Sequence, residues 1–248
     1  MTNNIYLVAN WKMYGGPSNL KSLNKVINLR KLKKYRKANI IYFPPFTLIS
    51  NLVNKFRKTN ISVGGQNCHY QENYGSFTGS ISPKMLKDLG CKYVILGHSE
   101  NRILGETDEI INKKIQSALN KKLKIIFCIG ETLSEKKSKL TFSVLKRQIN
   151  KGLKRIKNFQ KIIIAYEPVW SIGTGIIPKN KELETNVGKI RNIFSKKTKK
   201  KMLILYGGSV NSKNISILKN ISGIDGFLIG SASQNSKKFI DIIKKTIN

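Results

Sequence analysis

The sequence predicts an α/β fold: a single closed (β/α)8 barrel of eight parallel strands with an outer ring of helices. Three observations carry this. Short β-branched or apolar runs recur eight times, segments with helical spacing lie between them, and the 248 residues match the length of such a barrel. A doubly wound open sheet would use the same alternation and is the alternative. In chain order the candidate strands are residues 5–8, 40–43, 61–63, 93–96, 124–128, 162–165, 202–206 and 226–229. Their near-continuous apolarity is that of strands covered on both faces. After the third run, the glycines and aromatics from Gly64 to Pro83, with Tyr70, Tyr74 and Phe77, read as a long ordered loop and an interface. Between the fifth and sixth runs, Leu145, Ile149, Leu153 and Ile156 repeat at helical spacing; between the sixth and seventh, Leu183, Val187, Ile190 and Phe194 do so. The opposite faces are rich in lysine, as helices packed on a barrel require. No Pro- or Ser-rich linker divides the chain, so residues 1–248 are read as one catalytic domain.

Composition narrows the function classes. The chain is 40% hydrophobic and has no run of eighteen apolar residues. Residues 1–4 lead into the first strand without a basic n-region, so a cytoplasmic protein without membrane contact is expected. Cys68, Cys91 and Cys128 are odd in number and widely spaced, which fits a reducing compartment and neither a disulfide framework nor a zinc site. Lys+Arg 46 against Asp+Glu 13 gives a formal charge of +33, which raises nucleic-acid or membrane binding. That reading needs a focused patch, whereas the lysines are spread over the helical segments. Lys, Asn and Ile share A/T-rich codons, so compositional drift accounts for the excess and no specific nucleic-acid partner is expected. The field still attracts small anions and repels itself.

In a parallel barrel the chemistry sits at the carboxyl ends of the strands. There the chain offers Asn10-Trp11-Lys12, Gly97-His98-Ser99-Glu100, Glu167, Gly207-Gly208-Ser209 and Gly230-Ser231. Glu167 closes a β-branched run, the position of a tuned general base, and Gly173-Thr174-Gly175 lets backbone N–H groups turn toward an anion. Singly, Glu167 could be a solvated strand end, His98 a structural cap and the glycines turns. As a set in strand-end register, an amide, an ammonium, an imidazole, a carboxylate and backbone donors suit proton transfer on a small phosphorylated carbonyl compound. A metal-dependent epimerase would want histidines and acids at strand ends, and an aldolase a Schiff-base lysine on the sixth strand; neither is present. A barrel kept only for binding would have lost Lys12, His98 or Glu167.

Asn10-Trp11-Lys12-Met13, Gly65-Gln66-Asn67, Phe77-Thr78-Gly79, Leu96-Gly97-His98-Ser99-Glu100, Cys128-Ile129-Gly130-Glu131, the segment from Tyr166 to Gly175, Tyr206-Gly207-Gly208-Ser209-Val210 and Asp225-Gly226 resemble the triosephosphate isomerase family, in its order and over essentially the whole chain. The resemblance implies a TIM barrel that interconverts dihydroxyacetone phosphate and D-glyceraldehyde 3-phosphate through an enediol(ate), in glycolysis and gluconeogenesis. That family is itself the standard example of pKa tuning and lid gating. It implies Glu167 as the proton-shuttling base and His98 as a neutral imidazole that polarises the carbonyl. Lys12 then offsets the substrate charge, Asn10 is a further donor, and Glu100 holds Lys12. The phosphate would rest on backbone N–H groups of Gly173, Ser209, Gly230 and Ser231. Ile172 and Leu228 would close over the base and exclude water. Cys128 is read as a small buried hydrophobe beside the base, and His69 as a loop or interface residue. No metal or organic cofactor is expected, and a homodimer through the loop from Gly64 to Pro83 is.

The chain departs from the family in three places. Ser80 and Asn101 stand where relatives pair a Glu with an Arg across the dimer, and the stretch from Arg102 to Glu106 is one residue shorter; the dimer should be weakened at its rim. Ser231 replaces a glycine, tolerable where φ is negative. The lid hinge reads Ile176-Ile177-Pro178, and Pro178 has no N–H for the tyrosine that Tyr206 matches. Tyr206→Phe is therefore expected to change turnover little.

Overall fold

A computed structural model describes residues 5–248; the expectation drawn from residues 1–4 falls outside the described residues. Eight strands, β1 (Ile5–Asn10), β2 (Ala38–Phe43), β3 (Ser62–Gly65), β4 (Tyr93–Leu96), β5 (Lys124–Ile129), β6 (Ile162–Tyr166), β7 (Leu203–Tyr206) and β8 (Gly226–Ile229), form a closed parallel barrel in chain order. Tyr6 to Ala9 of β1 pair with Gly226 to Ile229 of β8, which closes the cylinder and excludes the open sheet. Among the described residues no helix is long and apolar enough to cross a membrane.

The pleat sorts each strand between two cores. Val8, Ile41, Phe43, Ile95, Cys128, Ile163, Ala165, Leu205 and Leu228 pack inside the barrel. Their neighbours Leu7, Ala9, Ile40, Tyr42, Ile162, Ile164 and Tyr166 face the helices. Each such Leu, Ile or Val contributes about 1.5–3 kcal/mol by leaving water. Leu183, Val187, Ile190 and Phe194 are the buried stripe of the Asn180–Ser195 helix.

Most strand ends shift by one or two residues from expectation, and two boundaries differ for a specific reason. The third strand extends through Gly64 and Gly65, where a Cβ would lie 2.3 Å from the Phe43 ring and 2.7 Å from Leu86. These glycines admit neighbouring side chains and do not make a turn, so the connection starts at Gln66. It ends at Ser82, whose side chain caps the Pro83–Asp88 helix by accepting the Met85 N–H, with proline at the first turn. The Thr141–Gly152 helix stops before both Leu153 and Ile156, and the chain then turns through Arg155 at φ 60°.

Candidate active site

Strand alternation aims the site. Positions 163 and 165 face the barrel interior, so Glu167 continues that register beyond β6; Val8 does the same for Asn10, and Leu205 for Gly207. Asn10, Lys12, His98 and Glu167 all line one cavity of about 140 Å³ at the carboxyl ends of the strands. His98 departs from the alternation because it is the N-cap of the Ser99–Ile103 helix.

Glu167 is 3% exposed, and its backbone N–H donates to the Ile129 carbonyl at 2.8 Å. Its Oε1 lies 3.4 Å from His98 Nε2. The other imidazole nitrogen, Nδ1, accepts the Glu100 N–H at 3.2 Å, so its lone pair is used and the ring proton sits on Nε2, toward the cavity. Cys128 is not in the lining but lies against Glu167. Burial first, then the charge and hydrogen bond of Glu167, push its thiol well above the usual range, as for an inert buried hydrophobe.

Lys12 adopts φ 56°, a left-handed conformation that costs a side-chain-bearing residue about 1–2 kcal/mol. Surrounding bonds hold it there. Its N–H donates to Asn10 Oδ1 at 3.1 Å, and Gln66 Nε2 donates to its carbonyl at 2.8 Å. Its Nζ donates to Glu100 Oε1 at 2.7 Å, so Glu100, which is not in the lining, meets the cavity through Lys12 and through His98.

Gly173, Ser209, Gly230 and Ser231 line the same cavity, with Ile172 and Leu228 at its apolar wall. Leu228 also belongs to the barrel interior, so packing and lining are both true of it. Ser231 opens the Ser231–Ser233 turn and is not among the positive-φ residues, which meets the condition for replacing glycine.

The segment after Glu167 is held from beneath. Ser171 Oγ donates to the Ile176 carbonyl at 2.6 Å and lies 3.0 Å from the Tyr206 hydroxyl. Tyr206 thus has a lid partner at Ser171 that the Pro178 argument did not foresee. Trp170 Nε1 donates to Glu131 Oε1 at 2.9 Å, and the Tyr166 hydroxyl donates to Glu131 Oε2 at 3.1 Å. Glu131 is fully buried, and burial is the main cause raising its pKa.

Gly207, Gly208, Val210 and Gln234 line the cavity as well; sequence reasoning offered the two glycines as strand-end candidates without a role of their own and left Val210 and Gln234 out. Val210 could have been found from its place after β7. Gln234, whose Nε2 donates to the Trp11 carbonyl at 3.0 Å, arrives only through the turn after β8. His69 lies outside the cavity, stacked 4.2 Å from Tyr70 and 4.3 Å from Phe77. Among the described residues no group of three or more His, Cys, Asp or Glu side chains could hold a metal ion.

Residues 5–246 match the family model described as triosephosphate isomerase. The chain is 42% identical over 245 residues to the triosephosphate isomerase of Dictyoglomus thermophilum, covering 96% of this chain and 98% of that protein. It is 42% identical over 250 residues to that of Borrelia garinii subsp. bavariensis, covering 98% of each. The crystal structure of triosephosphate isomerase from Bartonella henselae superposes with a TM-score of 0.89 at 34% identity, covering 98% of both chains. The site geometry and these likenesses agree: the chain belongs to the triosephosphate isomerase family.

Proposed function

We propose that residues 1–248 form one catalytic domain in which Glu167, His98, Lys12 and Asn10 carry out the isomerisation. The chain is an intramolecular aldose-ketose isomerase (EC 5.3.1.1) of glycolysis and gluconeogenesis, and interconverts dihydroxyacetone phosphate and D-glyceraldehyde 3-phosphate. The observation that carries the assignment of residues is the meeting of Lys12, His98 and Glu167 in one small cavity with four backbone donor positions.

Glu167 removes the proton from the carbon beside the carbonyl, and the electron pair moves onto the carbonyl oxygen to give an enediolate. His98 Nε2–H hydrogen-bonds that oxygen as charge develops, and Lys12 and Asn10 stabilise the same charge. The hydroxyl and enolate oxygens exchange a proton, and the protonated Glu167 returns its proton to the neighbouring carbon. N–H groups of Gly173, Ser209, Gly230 and Ser231 hold the phosphate, while Ile172 and Leu228 keep water from the base. Glu100 positions Lys12. Cys128 packs and takes no part.

A homodimer through the loop from Gly64 to Pro83 belongs to the same reading. Met13 is 98% exposed, and Tyr70, Tyr74 and Phe77 add exposed apolar area on that loop. Ser80 and Asn101 bring no ion pair to the rim. A cytoplasmic location is supported by three free, buried thiols.

The test is isomerase activity of the wild type beside Glu167→Asp. Withdrawing the carboxylate by one methylene should lower kcat about 100-fold with KM little changed, since roughly 1 Å of misplacement costs that much. An inactive wild type would overturn the function, and an undiminished Glu167→Asp would overturn Glu167 as base.

A further inference from the structure

We propose that the end of the barrel opposite the catalytic cavity carries a second anion site, built from Arg30, Lys31, Arg36 and Lys58, that takes a small anion with two or more phosphoryl groups. The charge excess is not evenly offset along the chain. The first acidic residue is Glu72, so residues 1–71 contain none. Among the described residues, the one ion pair reaching into that stretch is Lys12 with Glu100.

The cations of this stretch converge. Arg30 and Lys31 end the Asn24–Lys31 helix, Arg36 precedes β2, and Lys58, Thr59 and Asn60 precede β3. All therefore lie at the amino ends of their strands. With Ile27 they line a cavity of about 350 Å³ in whose wall no carboxylate takes part. Among the described residues none of the four cations makes an ion pair, and Arg30 Nε is shielded from solvent without an acceptor. A buried donor left unmet costs about 1–3 kcal/mol. Burial first, then the neighbouring Arg36 charge, holds the Arg30 guanidinium below its usual pKa range. The negative end of the helix dipole accounts for a cation at Arg30 or Lys31 but not for Arg36 and Lys58.

The ligand class follows from the wall. Guanidinium forks match phosphoryl oxygens in pairs, and ammonium groups add point charge. Four cations exceed the charge of one phosphate group, about −2. The space is also larger than the roughly 140 Å³ of the catalytic cavity, which must take a whole triose phosphate. No aromatic side chain lines the wall, so a nucleobase has no surface on which to stack. A compact diphosphate fits this site better than a nucleotide or a nucleic-acid strand.

The experiment titrates pyrophosphate into the full-length ¹⁵N-labelled chain at about 0.15 M KCl, where exposed charges are screened beyond about 8 Å. The amides of Thr59 and Asn60 report the new site, and those of Ser209 and Gly230 report the catalytic cavity. Saturable shifts at Thr59 and Asn60 are expected. The Arg30→Gln/Arg36→Gln variant should weaken them at least about tenfold through loss of two charge-assisted contacts, with isomerase activity and the Ser209 response unchanged. Should that variant fail to fold, Arg36→Gln alone, at an exposed position, should weaken them about threefold or more. The proposal is overturned by unshifted Thr59 and Asn60 amides or by undiminished binding in the variants. It is equally overturned if inorganic phosphate or a single-stranded oligonucleotide binds there as tightly as pyrophosphate.

Discussion

Gly207 shows how one missing side chain positions the proposed base, Glu167. Its N–H donates to the Tyr166 carbonyl at 2.8 Å, which fixes the backbone directly beside Glu167. A Cβ built there would lie 2.7 Å from Glu167 Cγ and 3.2 Å from Oε1, closer than atoms pack. The strand cannot retreat, so in Gly207→Ala the carboxylate has to move. Displacement by roughly 1 Å should lower kcat about 100-fold while KM changes much less. Steady-state kinetics with a melting curve on the same preparation check this, and an unchanged kcat in the folded variant would show that the carboxylate is not held against Gly207. Glu167 itself was legible in the sequence because parity along β6 dictates its side, and Lys12 because it follows β1. Gln234 was not, because no period relates a side chain in a tight turn to the strand before it.

At the scale of elements, the lid segment is tied down at both ends by one hydroxyl. Ser171 Oγ donates to the Ile176 carbonyl, so the hydrogen between Ser171 and Tyr206 must come from Tyr206. Tyr206→Phe removes one neutral hydrogen bond and leaves the Ser171 to Ile176 clip intact. About 1 kcal/mol, or a loss of less than tenfold in turnover, is expected. Ser171→Ala removes both bonds, together with the long Ser209 N–H donation to Ser171 Oγ at 3.4 Å, and should cost more turnover than Tyr206→Phe. Measuring kcat for the two side by side decides it, and the reverse order would mean that the clip does not govern the lid. Beneath the lid, Glu131 anchors Trp170 while its folded pKa stands above the ordinary 4.5. Below that value both folded and unfolded chains hold the proton, and no pH dependence arises. As pH rises through the raised folded pKa the unfolded state releases its proton first, so stability falls, and the loss is complete above the folded pKa. Glu131→Gln keeps an acceptor for Trp170 and removes this slope. Urea unfolding at a series of pH values should therefore find the stability difference moving toward the variant as pH rises from 4.5; movement the other way would refute the assigned direction.

For the molecule as a whole, the barrel was legible because eight apolar runs alternating with amphipathic helices leave few other ways to bury both faces. Boundaries were less so: Gly64 and Gly65 read as the start of a loop until Phe43 and Leu86 fill the space above them. Charge distribution was least legible, since whether a lysine is offset depends on where distant carboxylates fall in the fold. A formal +33 on one compact chain opposes folding by self-repulsion. The same field attracts a phosphorylated substrate toward the chain, so salt should act on stability and on capture in opposite senses. Raising KCl from about 0.01 to 0.15 M shortens the screening length from about 30 to 8 Å. Repulsion between surface lysines farther apart than that is then largely removed from the folded state. A gain of about 1 kcal/mol would appear as a rise in Tm of about 2–4 °C for a chain of this size. Over the same range kcat/KM should fall, because screening weakens the long-range attraction of the anion, while kcat should stay nearly constant. Chloride is the right probe, since phosphate would bind the catalytic cavity and stabilise the fold by occupancy. A Tm that falls with KCl would mean that short-range ion pairs, such as Arg191 with Asp225 and Arg102 with Asp108, outweigh the net repulsion.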